Sequence, residues 1–276
     1  MTICKVFAPA KVNVTLHVTG QRKDGYHLLD SLVMFADVGD RVTVRPAATP
    51  KFEVTGPRAE NVPTDNTNLV VRAAALFNEP VHIVLSKHLP ASAGIGGGSS
   101  DAAATVLALA EVTGTTRLPE GVTELGADVR VCLLRQAARM RGIGEDVIPC
   151  PGLPPLFAVL ANPGVEVPTP VVFKALPNKT NPPMPKRVPQ GLKTRAFIDW
   201  LAAQRNDLEA PAIAQAAIIE EVLATLKAQP DARLARMSGS GATCFALFET
   251  EQAAQNAARL LSDQQPDWWV EPTRLS

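Results

Sequence analysis

The chain has 276 residues, with 27 lysines and arginines against 27 aspartates and glutamates, and so a formal net charge of zero. That balance excludes a broad basic surface for nucleic acid or an anionic membrane, but not a local anion site. With 46% apolar and 20% charged residues, the chain buries a real core and is not disordered.

The length suits one large domain or two modest ones. Cys4, Cys132, Cys150 and Cys244 form no C-x-x-C pair and read as small apolar residues in a reducing compartment. His17, His27, His82 and His88 show no zinc spacing with them. Lys5 and Lys11 interrupt the apolar N-terminal stretch, so no secretory signal is expected, and no run approaches the roughly 18 apolar residues of a membrane span. A soluble, cytoplasmic protein is expected. It contains one tyrosine, Tyr26.

In chain order, the first ~60 residues read as strands. Val12, Val14, Leu16 and Val18 alternate with polar neighbours, as in a half-buried strand. Asp24-Gly25 marks a turn, and Leu32 to Val44 offers β-branched material broken at Gly39-Asp40. Thr67 to Asn78 reads as a helix with Asn68 near its start, and Val81 to Leu85 as a short strand. Ser99 to Val112 is a helix dense in Ala and Leu, stopped by Gly114. Val131 to Leu134 and Leu156 to Leu160 read as short buried strands, with turns at residues 142–144 and 151–152. Residues 177 to 193 hold five of the 24 prolines and predict an extended, solvated surface connection. Helices near 194–204 and 210–228, a strand pair around 233–248, a helix over 250–263 and a strand at 268–271 complete the chain. The mixture predicts an α+β protein of two lobes, residues 1–160 and 161–276.

The residues from Pro90 to Asp101 run Pro-Ala-Ser-Ala-Gly-Ile-Gly-Gly-Gly-Ser-Ser-Asp, and a helix opens after them. Glycines let backbone N–H groups approach an anion, and a helix start aims further N–H groups at it. Ser99 and Ser100 stand where an N-cap is wanted. A flexible turn feeding a capped helix also fits this pattern. The segment is not a Walker A loop, because Ser99-Ser100-Asp101 replaces Gly-Lys-Ser/Thr. Nor is it G-x-G-x-x-G, since the residue three after Gly96 is Ser99.

The segment Pro90-x3-Gly94-Ile95-Gly96-Gly97-Gly98-Ser99-Ser100-x-Ala102-Ala103 resembles the ATP-phosphate loop of the GHMP kinases. Further stretches resemble the branch of that family that acts on a cytidyl diphosphate sugar alcohol in the non-mevalonate isoprenoid route. They are Pro9 to Asn13, Asp24 to Leu29, Gly126 to Val129, Asn162 to Gly164 with Thr169 to Phe173, Arg205 to Leu208, and Met237 to Thr243. They occur in the family's order.

The resemblance implies a two-lobed GHMP kinase fold, with the active site in the inter-lobe cleft and an ATP-binding, catalytic N-terminal lobe. It implies transfer of a phosphoryl group from ATP, accompanied by Mg²⁺, to an alcohol of the substrate. A GHMP kinase for another small alcohol, or an inactive binding protein of the same fold, are the alternatives.

Residue by residue, Asp128 matches the family's catalytic aspartate and Lys11 its paired lysine. Tyr26 and His27 match the residues that hold the cytosine, and Phe173 the second aromatic, although core packing explains a phenylalanine equally. Asn13 and Thr169 match substrate-pocket positions. For ATP the resemblance implies Pro90, Ala91, Ser92, Ala93, Gly94, Ile95, Gly96, Gly97, Gly98, Ser99 and Ser100, with Lys87 as a nearby cation and Asn68 and Leu69 lining adenine. Gly239 and Gly241 match a C-terminal loop that approaches the phosphates. Metal ligands are not identified. Where the family carries Asp-Val-Pro, this chain has Asp128-Val129-Arg130. A monomer or weak homodimer is expected, without nucleic acid or membrane.

Overall fold

The computed structural model describes residues 3–276. Two long strands open the chain, β1 (Cys4–Gln21) and β2 (His27–Pro46). The reversal between them lies at Asp24-Gly25 as expected, with the Arg22 N–H donating to the Tyr26 carbonyl at 2.7 Å. β3 (Lys51–Thr55), α1 (Leu69–Ala75), β4 (Val81–Ser86), α2 (Gly97–Thr113) and α3 (Val129–Leu134) follow. Next come β5 (Ala138–Gly142), β6 (Asp146–Pro149), β7 (Leu156–Asn162), α4 (Thr169–Lys174), α5 (Thr194–Ala202), α6 (Glu209–Gln215) and α7 (Ile218–Lys227). β8 (Leu234–Met237), β9 (Cys244–Phe248), α8 (Glu251–Gln264) and β10 (Trp269–Leu275) end it.

Several elements differ from the sequence reading, each for a local reason. β2 does not break at Gly39-Asp40, because the Asp40 side chain turns inward and is fully buried. Residues 131–134 lie in a helix, since a short apolar run does not distinguish strand from helix by periodicity. The helix expected over 210–228 is two, separated at Ala216, whose backbone is extended (φ −144°, ψ 92°). Thr169–Lys174 forms a helix that the sequence reading did not identify.

The chain divides into two compact units, each assembled from separate segments. The first comprises the described residues up to Lys11, Val38–Ala91 and Gly96–Arg135. In it β4 pairs antiparallel with the second half of β2 (Val42↔Leu85) and parallel with β3 (Glu53↔Val84). α1 and α2 pack on these strands, and Val42, Val44, Val70, Ile83, Leu85, Ala108 and Leu109 form the core. The second unit comprises Val12–Asp37, Ser92–Ile95 and Gln136–Ser276. Its strands pair antiparallel: β5 with the first half of β2 (Ser31↔Met140), β10 with β7, β7 with β9, and β9 with β8. α6, α7 and α8 bury Ala212, Ile219, Val222, Leu226, Ala258 and Leu261 against Val159, Ala161 and Phe248.

The proline-rich stretch from 177 to 193 carries no helix or strand and is mostly exposed, as expected, but it is a strap pinned at Met184–Lys186 rather than a free connection. Arg139 and Asp30 form a buried bidentate pair at 2.6 Å per bond. Arg139 Nη1 also donates to the Pro185 and Lys186 carbonyls, both at 2.9 Å, and Asp30 accepts the Met184 N–H at 2.9 Å. Met184 itself is buried. Prolines bring no N–H, so their neighbours' carbonyls need outside donors, and here a guanidinium supplies them. Truncating Arg139 to Ala strands a buried carboxylate and frees the strap. A loss of about 3–5 kcal/mol is expected in urea unfolding, whereas Lys193→Ala, at the strap's far end, should change it by less than about 0.5 kcal/mol.

Candidate active site

The glycine segment is built around two left-handed glycines. Gly94 (φ +73°) and Gly96 (φ +64°) take conformations that a side chain disfavours. A Cβ on Gly94 would stand 2.5 Å from the Ser238 carbonyl oxygen, and one on Gly96 3.0 Å from Lys11 Cε. Gly96 is also the N-cap of α2, so the helix begins two residues before the predicted start and Ser99 and Ser100 occupy its first turn rather than its cap. The first intrahelical bond runs from the Ser100 N–H to the Gly96 carbonyl at 2.9 Å. The N–H groups of Gly97, Gly98 and Ser99 therefore precede the hydrogen-bonded helix and are anion donors by position.

In the first unit, Lys11 and Asp128 meet beside this helix start. Lys11 Nζ lies 2.9 Å from Asp128 Oδ2, with the lysine side chain 5% and the aspartate side chain 31% exposed. β1 delivers the lysine, and Asp128 is the residue from which α3 starts. Arg130 is exposed in the first turn of α3, a position that also tolerates proline. The helix start thus holds Asp128 without the proline of the family pattern. A Cβ on Gly96 would be 3.8 Å from Asp128 Oδ2, and one on Gly126 3.7 Å from Ser99 Oγ. Leu69 Cδ1 comes within 3.9 Å of both the Gly98 and the Gly126 Cβ positions.

Two residues expected near ATP have other partners. Asn68 caps α1, its Oδ1 accepting the Val70 N–H at 2.9 Å while its Nδ2 donates to the Pro63 carbonyl at 2.7 Å. Lys87 lies against the loop, 3.6 Å from the Gly97 Cβ position, but its ammonium is buried and bonded to Asp40 at 2.5 Å and Asp101 at 2.9 Å. It is consumed by carboxylates rather than presented to phosphate. Asp40 and Asp101 were not singled out by the sequence reading, because an aspartate after glycine or serine looks like turn or cap chemistry.

In the second unit, the loop between β8 and β9 clasps Ser92–Ile95. Ser238 Oγ donates to the Gly94 carbonyl at 3.0 Å and accepts the Asn13 N–H at 3.0 Å. The Thr243 N–H donates to the Ala93 carbonyl at 3.1 Å. Asn206 holds that loop from behind, with bonds to the Met237 and Gly239 carbonyls at 2.8 and 2.9 Å. Asn13 Nδ2 donates to Ser31 Oγ at 2.7 Å. Thr169 Oγ1 shares a 2.7 Å bond with Ser240 Oγ. Ser238 and Ser240 belong to the Met237 to Thr243 motif, although only its glycines were given a role there, and Ser31 carried no sequence signal.

Also in the second unit, the His27 ring stacks on Phe173 at 4.8 Å between centroids and 26° between planes. Tyr26 is 60% exposed, and the one tyrosine of the chain is thus available as a flat apolar face. His27 Nε2 is buried without a hydrogen-bond partner. Burial, helped by the charge of Lys179, lowers the His27 pKa, so the ring is neutral at neutral pH and offers one donor and one acceptor. Phe173 is only partly buried, as a ring with one face on the core and one on His27 should be.

Residues 68–150 match the GHMP kinases N terminal domain and residues 194–267 the GHMP kinases C terminal. The chain is 58% identical over 272 residues to the 4-diphosphocytidyl-2-C-methyl-D-erythritol kinase of Dinoroseobacter shibae, spanning 98% of this chain and 94% of that one. Its identity to the enzyme of the same name from Cereibacter sphaeroides is 56%, over 99% of both chains. A crystal structure of 4-(cytidine 5'-diphospho)-2C-methyl-D-erythritol kinase matches with a TM-score of 0.83 at 34% identity, over 99% of both chains.

The two loops of the second unit test the backbone argument directly. Gly94→Ala meets both the left-handed backbone and the Ser238 carbonyl, and should lower stability by about 1–3 kcal/mol in thermal unfolding. Gly152→Ala shares a positive φ but has nothing within 4 Å of its Cβ position, and should cost about 1 kcal/mol or less.

Proposed function

Since the chain belongs to the GHMP kinase family, and its nearly full-length relatives carry one enzyme name, we propose that it phosphorylates the 2-hydroxyl of 4-diphosphocytidyl-2-C-methyl-D-erythritol with ATP. The products are ADP and the 2-phosphate. The observation that carries the reading is the Lys11–Asp128 pair at 2.9 Å, set directly against Gly96 at the start of α2. Phosphoryl transfer needs little covalent chemistry from a protein beyond alignment and charge stabilisation. A carboxylate paired to a lysine beside a cradle of backbone donors supplies both.

In this reading Asp128 orients the 2-hydroxyl and takes its proton as the oxygen bonds to the γ-phosphorus and the bond to the ADP oxygen breaks. Lys11 holds Asp128 in place and offsets charge that develops on the transferring group. The N–H groups of Gly97, Gly98 and Ser99, with the rest of Pro90–Ser100, hold the ATP phosphates, and Leu69 lies toward the base of the nucleotide. ATP is taken as its magnesium complex. Among the described residues no group of three or more His, Cys, Asp or Glu side chains could hold a metal ion. Tyr26 stacks on the cytosine, neutral His27 hydrogen-bonds its edge, and Phe173 supports the His27 ring from behind. Asn13, fixed by Ser31, and Thr169, fixed by Ser240, line the polyol and diphosphate.

We place the enzyme in the cytoplasm as a monomer or weak homodimer. No helix among the described residues is long and apolar enough to cross a membrane, and all four cysteines are free and buried.

The direct test is ATP consumption with the cytidyl substrate, against mevalonate, homoserine and galactose. Turnover of the cytidyl substrate alone is expected, and equal turnover of another alcohol would overturn the assignment. Asp128→Asn should lower kcat by on the order of 10²–10⁴; unchanged turnover would remove Asp128 from the chemistry. Tyr26→Ala should raise KM for the cytidyl substrate while leaving KM for ATP within about twofold, because a lost base stack is worth roughly 1–3 kcal/mol. Equal weakening of both would make Tyr26 a packing residue.

A further inference from the structure

Beneath the phosphate loop lies a cluster that none of these roles uses. Asp40, Lys87 and Asp101 are 0%, 4% and 3% exposed. One ammonium therefore faces two carboxylates, at 2.5 and 2.9 Å. With both carboxylates ionised the buried cluster would carry an uncompensated negative charge, which a protein interior penalises heavily. One bound proton cancels it.

The hydrogen bonds say which side chain holds that proton. Asp40 Oδ1 accepts the N–H groups of His88 at 2.5 Å and Leu89 at 2.9 Å, and its Oδ2 accepts Lys87. Three donors thus already occupy the Asp40 oxygens. Asp101 accepts only Lys87, and its Oδ1 is buried with no partner. Asp40 is close enough to Asp101 to accept a hydrogen bond from it. The cluster also spans the loop: Asp40 and Lys87 fix residues 87–89 just before Pro90, and Asp101 sits in α2 just after Ser100.

We propose that Asp40, Lys87 and Asp101 are positioning residues for ATP, a staple across both ends of the 90–100 loop that stays closed while Asp101 holds one proton. The proposal rests on the ATP reading of that loop. Loss of the proton sets Asp101 against Asp40 and leaves negative charge under a loop that must receive a polyphosphate. A Cβ on Gly97 would stand only 3.9 Å from Asp40 Oδ2, so that charge would lie directly below the loop backbone.

Burial, only partly offset by Lys87, pushes the Asp101 carboxyl up to about 8. Burial alone would lower Lys87, but the charges of Asp101 and Asp40 outweigh it and raise the ammonium instead. Few other groups intervene. From α3 the Cys132 thiol, pushed up by burial and so neutral, feels the charges of Asp128, Lys11 and Asp101. Arg72 of α1 and Arg130 of α3 are exposed, Arg41 of β2 lies over the Phe7 ring, and the His88 ring bonds Ser86. Since the folded value exceeds the unfolded 3.8, the proton's contribution to stability is complete below that value and is lost as pH rises through about 8.

The test is calorimetric binding of a non-hydrolysable ATP analogue to the full chain, together with infrared spectroscopy, for the native protein, D101A and D101N. Native affinity should weaken by on the order of 3–10-fold between about pH 7 and pH 9. D101A should weaken binding at both. D101N keeps an acceptor for Lys87 and a donor for Asp40 without titrating, so it should restore the affinity lost in D101A and abolish the pH dependence. A D101N protein that still weakens at alkaline pH, or that binds no better than D101A, would refute the staple. The infrared spectrum needs no nucleotide: a protonated-carboxyl band at neutral pH should vanish in D101N, and its absence from the native protein would refute the proton. If the native protein binds no analogue at any pH, the ATP reading and the loop-positioning role fall together, while the infrared result still decides the proton.

Discussion

Everything chemical in this protein depends on one constraint: β1 is buried on both faces. From Ala8 to His17 every residue is buried, so its alternate polar side chains cannot turn to water and each must find a partner. Lys11 finds Asp128. Asn13 finds Ser31, and Thr15 accepts the Leu32 N–H. His17 bonds the Pro182 carbonyl and the Arg205 N–H. The row that looks like the wet side of an amphipathic strand is the row that carries Lys11, Asn13, Thr15 and His17, all buried.

The same logic governs the other buried charges. Arg139 with Asp30 and Lys87 with Asp40 and Asp101 gain little net stability from their attraction, because desolvation offsets it. What they provide is geometry. The first pair ties down carbonyls of a proline-rich strap that has few donors of its own, and the second set fixes the backbone on either side of a glycine loop that has little intrinsic stiffness. Only a few of the chain's charges are buried, and most of them lie in such local groups.

Legibility from sequence followed how local the cause was. The Asp24-Gly25 turn, the helix start near Asn68, the Gly114 stop and the long helix after the glycine loop depend on near neighbours and read correctly. The helix at 129–134 did not, because the four apolar residues Val131 to Leu134 carry no decisive period. Asp40 and Asp101 were passed over because their aspartate-next-to-Ser/Gly contexts suggest turns and caps, while their partners lie 47 and 14 residues away in the chain. Lys87 was expected near the loop and is there, but its charge is spent on carboxylates that sequence did not associate with it.

Sequence by itself was sufficient for the family resemblance, since short motifs in a set order do not require a fold to be read. It also excluded both common nucleotide-binding patterns, Walker A and G-x-G-x-x-G, for the glycine loop. Only the tertiary structure decided which polar residues are buried, which carboxylate meets which ammonium, and that the proline strap is pinned. Those facts depend on contacts between residues far apart in the chain, where burial sets the cost of a charge and distance decides whether a partner repays it.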